Sequence, residues 1–122
     1  MSSSESELLR FAASSFPSVW ALELLLVLKQ DRRKWNQDEL IAKLRASDLV
    51  VIKALEALVA AGLVSEEPDG AIYMPVSKLS ETCVEQLDEL YRARPNAVRR
   101  AIVSAGTSSA TAFADAFKLS KD

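Results

Sequence analysis

The sequence predicts a mainly α-helical fold that carries one small β-hairpin. Apolar residues recur at helical spacing through most of the chain. Asp69-Gly70 lies between two short runs of strand-forming residues, which is a strong hairpin signal. The chain of 122 residues has only 3 glycines and is 49% apolar, so it suits one helical domain with a modest core.

The first two helices are predicted from a cap and from an apolar run. Ser4-Glu5-Ser6-Glu7 has the pattern of a capping box, and apolar residues follow it at helical spacing, so a helix is predicted over 5–16. Pro17 suits the first turn of the next helix, which extends to about Gln30. This second helix is apolar on almost every side and is therefore expected at the centre of the core.

Two further helices follow, joined by a short turn. Asn36-Gln37-Asp38-Glu39 has the pattern of a second capping box, and the helix that it starts ends near Arg45. Ser47 caps the next helix and Gly62 stops it.

A hairpin completes this part of the chain. Two segments of strand-forming residues, 63–67 and 71–76, flank the turn Pro68-Asp69-Gly70. Helix, short turn, helix and hairpin, behind a core helix, is the element order of a winged helix-turn-helix. The sequence therefore predicts this fold over residues 17–76, with the hairpin as the wing and extra helices on both sides.

The C-terminal part is predicted to be helical. Pro95 breaks the first of its helices, and Gly106 closes the second. A last amphipathic piece places Phe113 and Phe117 one helical turn apart. The chain is thus predicted to be one domain, 1–122, made of an N-terminal helix over 5–16, the winged helix over 17–76 and C-terminal helices over 77–122.

Two segments resemble a known family. They are the entry Trp35-Asn36-Gln37-Asp38-Glu39-Leu40 and the exit Leu55-Glu56-Ala57-Leu58-Val59-Ala60-Ala61-Gly62-Leu63-Val64. Together with their surroundings they resemble the winged-helix domains of MarR-like bacterial transcription regulators. The resemblance implies that fold, a regulatory role and, for most such proteins, DNA binding. It also implies a homodimer, which the flanking segments 5–16 and 78–119 would build here.

Composition argues against catalysis. The chain has no histidine, which removes the usual general base and the commonest transition-metal ligand. Its only cysteine, Cys83, lies on the apolar stripe of a predicted helix, where a buried and inert thiol is expected. The sequence contains no phosphate-binding loop and no metal-ligand spacing. We therefore predict that the protein is not an enzyme and uses no cofactor or metal.

The sequence also favours a cytoplasmic protein without membrane contact. The N-terminus is acidic and polar, unlike a secretory signal. The longest strongly apolar run, Val19–Leu28, is too short to span a bilayer. One cysteine permits no intrachain disulfide.

The helix that begins after Ser47 occupies the position of a recognition helix but has few groups that read DNA. Phasing at about 100° per residue places Leu49 and Lys53 outward, with Val50 and Ile52 on the two edges. Base reading needs side chains that donate or accept hydrogen bonds, and Asp48 would repel phosphate. Val50 and Ile52 either complete the core or extend an apolar patch around Leu49. The residues placed inward are Val51, Leu55 and Leu58.

The predicted wing is acidic. Glu66, Glu67 and Asp69 lie around its tip, and no lysine or arginine accompanies them. Acids near phosphate oppose the counterion release that supplies most non-specific affinity for DNA.

Positive charge lies outside these two elements, and the formal net charge is −2. The cluster Arg32-Arg33-Lys34 either balances the acids as a solvated face or contacts phosphate. Similar alternatives hold for Lys29, Lys43, Arg45, Arg92, Arg94, Arg99 and Arg100.

Two hypotheses remain open. The first is a non-catalytic regulatory protein that binds a protein partner through the apolar helix and the acidic wing. The alternative is a homodimeric DNA-binding transcriptional regulator. The partner-binding residues are predicted to be Asp48, Leu49, Val50, Ile52, Glu66, Glu67 and Asp69. The nucleic-acid contacts of the alternative are predicted to be Ser47, Lys53, Arg32, Arg33 and Lys34.

Overall fold

The computed structural model describes residues 4–105, and over this range it is mainly helical with one two-stranded antiparallel hairpin. This confirms the predicted mainly α fold with a small hairpin. The stop predicted at Gly106 and the amphipathic piece around Phe113 and Phe117 lie outside the described residues. The elements are α1 (Glu5–Ser15), α2 (Val19–Gln30), α3 (Gln37–Leu44), α4 (Asp48–Ala60), β1 (Val64–Glu67), β2 (Gly70–Tyr73), α5 (Lys78–Ala93) and α6 (95–105).

The helix starts follow from capping side chains. Asn36 and Glu39 form the complete capping box: Glu39 N donates to Asn36 Oδ1 at 2.8 Å, and Asn36 N donates to Glu39 Oε1 at 2.9 Å. Ser18 accepts from the backbone N–H of Ala21 at 3.3 Å, so it is the cap of α2. The prediction that Pro17 occupies the first turn is therefore wrong, because Pro17 precedes the cap.

The core forms where α2 packs against α4. α2 contributes a face that is fully buried, and α1 packs against α5. α2 is the central core helix, as predicted, but its surface is not covered all round, because Trp20 is 43% exposed and Val19 is half-buried. No other element described in residues 4–105 covers that face completely. The buried residues of α2 are Ala21, Leu22, Leu24, Leu25 and Leu28.

The chain leaves both α3 and α4 through a residue with left-handed backbone. Arg45, at the end of α3, has a φ of 55°, a conformation that costs energy for a residue other than glycine. After α4, Gly62 has a φ of 74° and donates to Val59 O at 3.0 Å, while Leu63 N donates to Leu58 O at 3.0 Å. These two bonds define a Schellman motif, which ends α4 and directs the chain into β1.

The hairpin is held to the start of α3. Its register pairs Val64 with Tyr73 and Glu67 with Gly70, so the loop is Pro68-Asp69. Gly70, which was predicted within the turn, therefore belongs to β2. Trp35 exchanges two backbone hydrogen bonds with Ala71, at 2.9 and 2.8 Å.

Glycine is required at position 70. A Cβ there would lie 2.7 Å from the carbonyl oxygen of Trp35, and the φ of Gly70 is 148°. A side chain would clash with the segment that leads into α3, so this residue keeps the hairpin close to that segment.

Within residues 4–105, no single helix has the length and apolar character needed to cross a membrane. α1 and α2 would meet that requirement only together, by length and composition, and they are bent by 103° at their break.

Candidate functional site

The outer face of α4 carries exposed aliphatic residues. Leu49 is 60% exposed, Ile52 37% and Val59 39%, and we call these three residues the α4 stripe. The residues predicted to face inward, Val51, Leu55 and Leu58, are buried. Val50 is half-buried, so of the two edge residues it is Ile52 that adds to the exposed apolar surface. Large exposed aliphatic side chains that lie together commonly mark a contact surface.

Polar side chains on the same helix are few. Lys53 and Glu56 are exposed, and neither forms an ion pair within the described residues 4–105. Ser47 is used as the N-cap, since its hydroxyl accepts from Val50 N at 3.3 Å. Asp48 is exposed in the first turn, where a carboxylate stabilises the positive end of the helix dipole.

The acids of the hairpin are partly neutralised by a residue from another element. Lys34 Nζ lies 3.1 Å from Asp69 Oδ1 and 3.4 Å from Glu67 Oε2. The hydrogen bond from Lys34 lowers the pKa of Asp69, and the bonds to Asp69 and then Glu67 raise the pKa of Lys34. Glu66 is exposed. Three carboxylates and one ammonium leave this end of the hairpin negatively charged.

The neighbouring arginines are also engaged within the chain. Arg33 lies over the Trp35 ring at 3.8 Å and pairs with Glu39 at 3.1 Å and Asp31 at 3.2 Å. The pKa of Arg33 is raised, chiefly by its hydrogen bond to Glu39. Arg32 lies over the Tyr73 ring at 5.1 Å.

The predicted basic cluster, Arg32-Arg33-Lys34, is therefore engaged in contacts within the chain. Arg32, Arg33 and Lys34 hold the connection between α2 and α3 against the hairpin and the start of α3. A phosphate would have to compete with these partners for each cation. Of the predicted nucleic-acid contacts, Arg32 and Lys53 are exposed cations without an ion pair in the part of the chain described, and Arg32 is engaged by the Tyr73 ring and by a hydrogen bond from its Nε to Lys29 O at 3.3 Å.

A cleft of about 360 Å³ places the hairpin acids beside α4. Leu55 of α4 lies on one side of it, with Glu66 and Asp69 on the other. Of the residues predicted to bind a partner, the hairpin acids line this cleft, whereas α4 contributes the buried Leu55 and not Leu49, Val50 or Ile52. Its other lining residues are Trp35, Asn36, Gln37, Glu67, Pro68, Gly70 and Ala71.

Metal-ligand groups and the cysteine were the remaining features that could carry chemistry. Residues 4–105 contain no group of three or more His, Cys, Asp or Glu side chains that could hold a metal ion. Cys83 is half-buried rather than fully buried as predicted. The absence of enzymatic activity stays a prediction.

Two features of the surface were missed in the sequence. Val59 belongs to the α4 stripe, and its spacing of seven residues from Ile52 is the signal that identifies it. Lys34 lies 35 residues before Asp69, and no local pattern indicates that they meet.

Comparison of the chain with family models, with curated proteins and with solved structures found no match.

Proposed function

We propose that this chain is a non-catalytic regulatory module of the winged-helix type that binds a protein partner through the α4 stripe. The observation that carries the proposal is the exposure of Leu49, Ile52 and Val59 on the outer face of α4. An apolar anchor of this kind suits a protein surface better than base edges, which need hydrogen-bonding side chains.

The winged-helix assignment rests on element order and on one backbone contact. α3 and α4 are joined by a tight left-handed turn at Arg45, and the hairpin follows α4 directly. The pairing of Trp35 with Ala71 gives the hairpin a third strand position. This arrangement agrees with the resemblance of residues 17–76 to MarR-like regulators.

The chemistry of the partner follows from the charges around the stripe. Asp48 and Glu56 are exposed on α4 and Glu66 on the adjacent hairpin, so these acids outnumber the exposed Lys53 of the same helix. The partner is therefore a protein whose apolar contact site is edged by basic side chains. The aliphatic contacts would supply affinity, and the charges would mainly set the association rate and specificity.

A homodimeric DNA-binding regulator is the second candidate. It is favoured by the exposed Lys53 at the position of a recognition helix and by the family resemblance. The other contacts to DNA would come from Ser47, Arg32, Arg33 and Lys34, although the three basic residues already have partners within the chain. A homodimer through the flanking helices would bury the exposed Leu79 and Val103.

Affinity capture from the native cell tests the proposal when two double variants are compared. L49D/I52D should lose a protein that the wild type retains, because it places charge within the apolar contact. M74D/V76D is the matched control, since it changes two exposed apolar residues outside α4. Both variants should show the thermal melting curve of the wild type.

DNA binding is measured in parallel by fluorescence anisotropy on a random duplex at low salt. We expect no binding by the wild-type chain. Micromolar binding with a steep dependence on salt would favour the second candidate. Capture of the same proteins by wild type and L49D/I52D would rule out the α4 stripe as the contact.

A further inference from the structure

An apolar groove lies on the face of α2 that the core leaves open. It has a volume of about 650 Å³, and α2, the end of α3 and α6 form its walls. Trp20 is 43% exposed here. We call it the Trp20 groove. Its lining residues are Val19, Trp20, Glu23, Val27, Lys43, Leu44 and Arg99.

The surface of this groove is unusual for a face that meets only water. Trp20 shares this lining with the half-buried Val19, Val27 and Leu44, so four of its seven residues are apolar. Such surfaces are normally covered, and an aromatic ring gains most when another apolar group packs on it. The volume falls within the roughly 300–1,000 Å³ that is typical of ligand-binding clefts.

We propose that residues 110–119 of this same chain occupy the Trp20 groove. The segment has Ala110, Phe113, Ala114 and Phe117 at helical spacing, which predicts one apolar face. Gly106-Thr107-Ser108-Ser109 precedes it, and these residue types favour a change of chain direction. Two phenylalanine side chains on one face would supply the apolar cover that Trp20 lacks.

The connection is long enough for this docking. Arg99 of α6 lines the groove, and Ala105, the last described residue, lies about 9 Å further along the helix axis at 1.5 Å per residue. The eight steps from Ala105 to Phe113 can span at most about 26–29 Å. Phe113 can therefore return to the groove without displacing α6.

The charges at the rim suit an aromatic occupant. Lys43 is exposed and has no ion pair within residues 4–105, whereas Arg99, on the opposite wall, lies over the Tyr91 ring at 5.5 Å and donates to the Tyr91 hydroxyl at 3.1 Å. Lys43 is therefore the cation that can lie against the face of an aromatic occupant. Glu23 is the acidic residue of the groove rim. In the segment proposed to dock, Lys118 directly follows Phe117 and supplies a charge of the opposite sign.

Connectivity favours this occupant over a second copy. A segment tethered by a short linker has an effective concentration on the order of millimolar, whereas a separate molecule must also lose translational and rotational freedom. The inference goes beyond the proposed function, because the groove lies on α2 and α6 and shares no residue with the α4 stripe.

NMR of the indole N–H signals in the full-length chain tests the docking. The chain has two tryptophans, and the W20F variant assigns their signals. F113D/F117D should shift the Trp20 signal and leave that of Trp35 in place, because Trp35 is buried elsewhere and donates to Asp31 O at 2.9 Å. F113A/F117A should give the same shift with a smaller perturbation of folding.

The matched control is S108D/S109D, which adds the same charge outside the apolar face and should leave both signals unchanged. A Trp20 signal that is identical in the wild type and in both phenylalanine variants would overturn the proposal. An isotope-labelled F113D/F117D chain is also mixed with excess unlabelled wild type. Recovery of the wild-type Trp20 position would mean that another copy supplies the segment, and it would overturn docking within one chain.

Discussion

The ammonium group of Lys34 lies 3.1 Å from a carboxylate oxygen of Asp69, so an ion pair joins the α2–α3 connection to the loop of the hairpin. Glu67 shares the same lysine at 3.4 Å. The contact ties together two elements that are distant in sequence. It also engages a cation that a DNA-binding surface would present to phosphate.

Replacing Lys34 with glutamine should raise the pKa of Asp69 towards the ordinary aspartate value of about 3.9. The hydrogen bond from Lys34 is the largest cause of the lowered pKa of Asp69, and glutamine removes the charge behind it. An NMR titration of the Asp69 side-chain carboxyl measures the change. K53Q is the matched control and should leave the Asp69 pKa where it is in the wild type.

The same contact predicts how stability depends on pH. Because the folded-state pKa of Asp69 is lowered, its contribution is present above the unfolded pKa and is lost as the pH falls through the folded pKa. The stability difference between wild type and K34Q should therefore shrink on acidification below about pH 4. A difference that grows in acid would show that the pair has the opposite effect.

Arg45→Gly should stabilise the chain by about 0.5–1 kcal/mol, because glycine avoids the steric cost of the left-handed backbone but loses more entropy on folding. Arg45 has a φ of 55° in the turn between α3 and α4. Urea denaturation measures the effect. K53G is the contrasting variant, since glycine within α4 should destabilise by about 1 kcal/mol. Destabilisation by R45G would contradict the assigned turn conformation.

Asp88→Ala should destabilise the chain by about 2–3 kcal/mol, because it leaves a largely buried Lys29 without its partner. Lys29 Nζ lies 3.0 Å from Asp88 Oδ2, and their side chains are 17% and 11% exposed. The double variant K29M/D88L should recover most of the loss, since apolar groups of similar volume replace the pair. A change of less than about 0.5 kcal/mol for D88A, typical of a surface site, would contradict this account.

Much of the fold follows from local signals in the sequence. The capping residues Asn36 and Ser47 and the stop at Gly62 fix the bounds of α3 and α4, because each acts within four residues of its position. The hairpin loop is one residue shorter than predicted, since Gly70 pairs with Glu67 within the hairpin and is needed for close approach to Trp35. That contact depends on tertiary structure, which local patterns do not encode.

The candidate site was less predictable than the fold. Helical phasing was sufficient to place Leu49 outward and Leu55 inward. The engagement of Lys34 with Asp69 depends on how the hairpin folds back, so sequence alone suggested an acidic tip without a base. The exposure of Trp20 was missed for a similar reason: an apolar helix does not reveal which of its faces a neighbour covers.

Light scattering should give twice the mass of the chain if the flanking helices form the predicted homodimer. Leu79 on α5 and Val103 on α6 are 73% and 56% exposed, so they are the apolar residues that such a contact would bury. L79D/V103D should then scatter as a monomer, while M74D/V76D should not change the mass. A wild-type chain that stays monomeric at high concentration would refute the dimer.

Photo-crosslinking in the native cell from position 49 tests the central proposal most directly. A photoreactive amino acid replaces Leu49 in one variant and Met74, which is 52% exposed and lies outside α4, in the control variant. We predict a discrete protein adduct from position 49 that resists nuclease, is absent from position 74 and disappears when Ile52→Asp is added. Nuclease-sensitive adducts from position 49, or the same adducts from both positions, would contradict a protein-binding role for the α4 stripe.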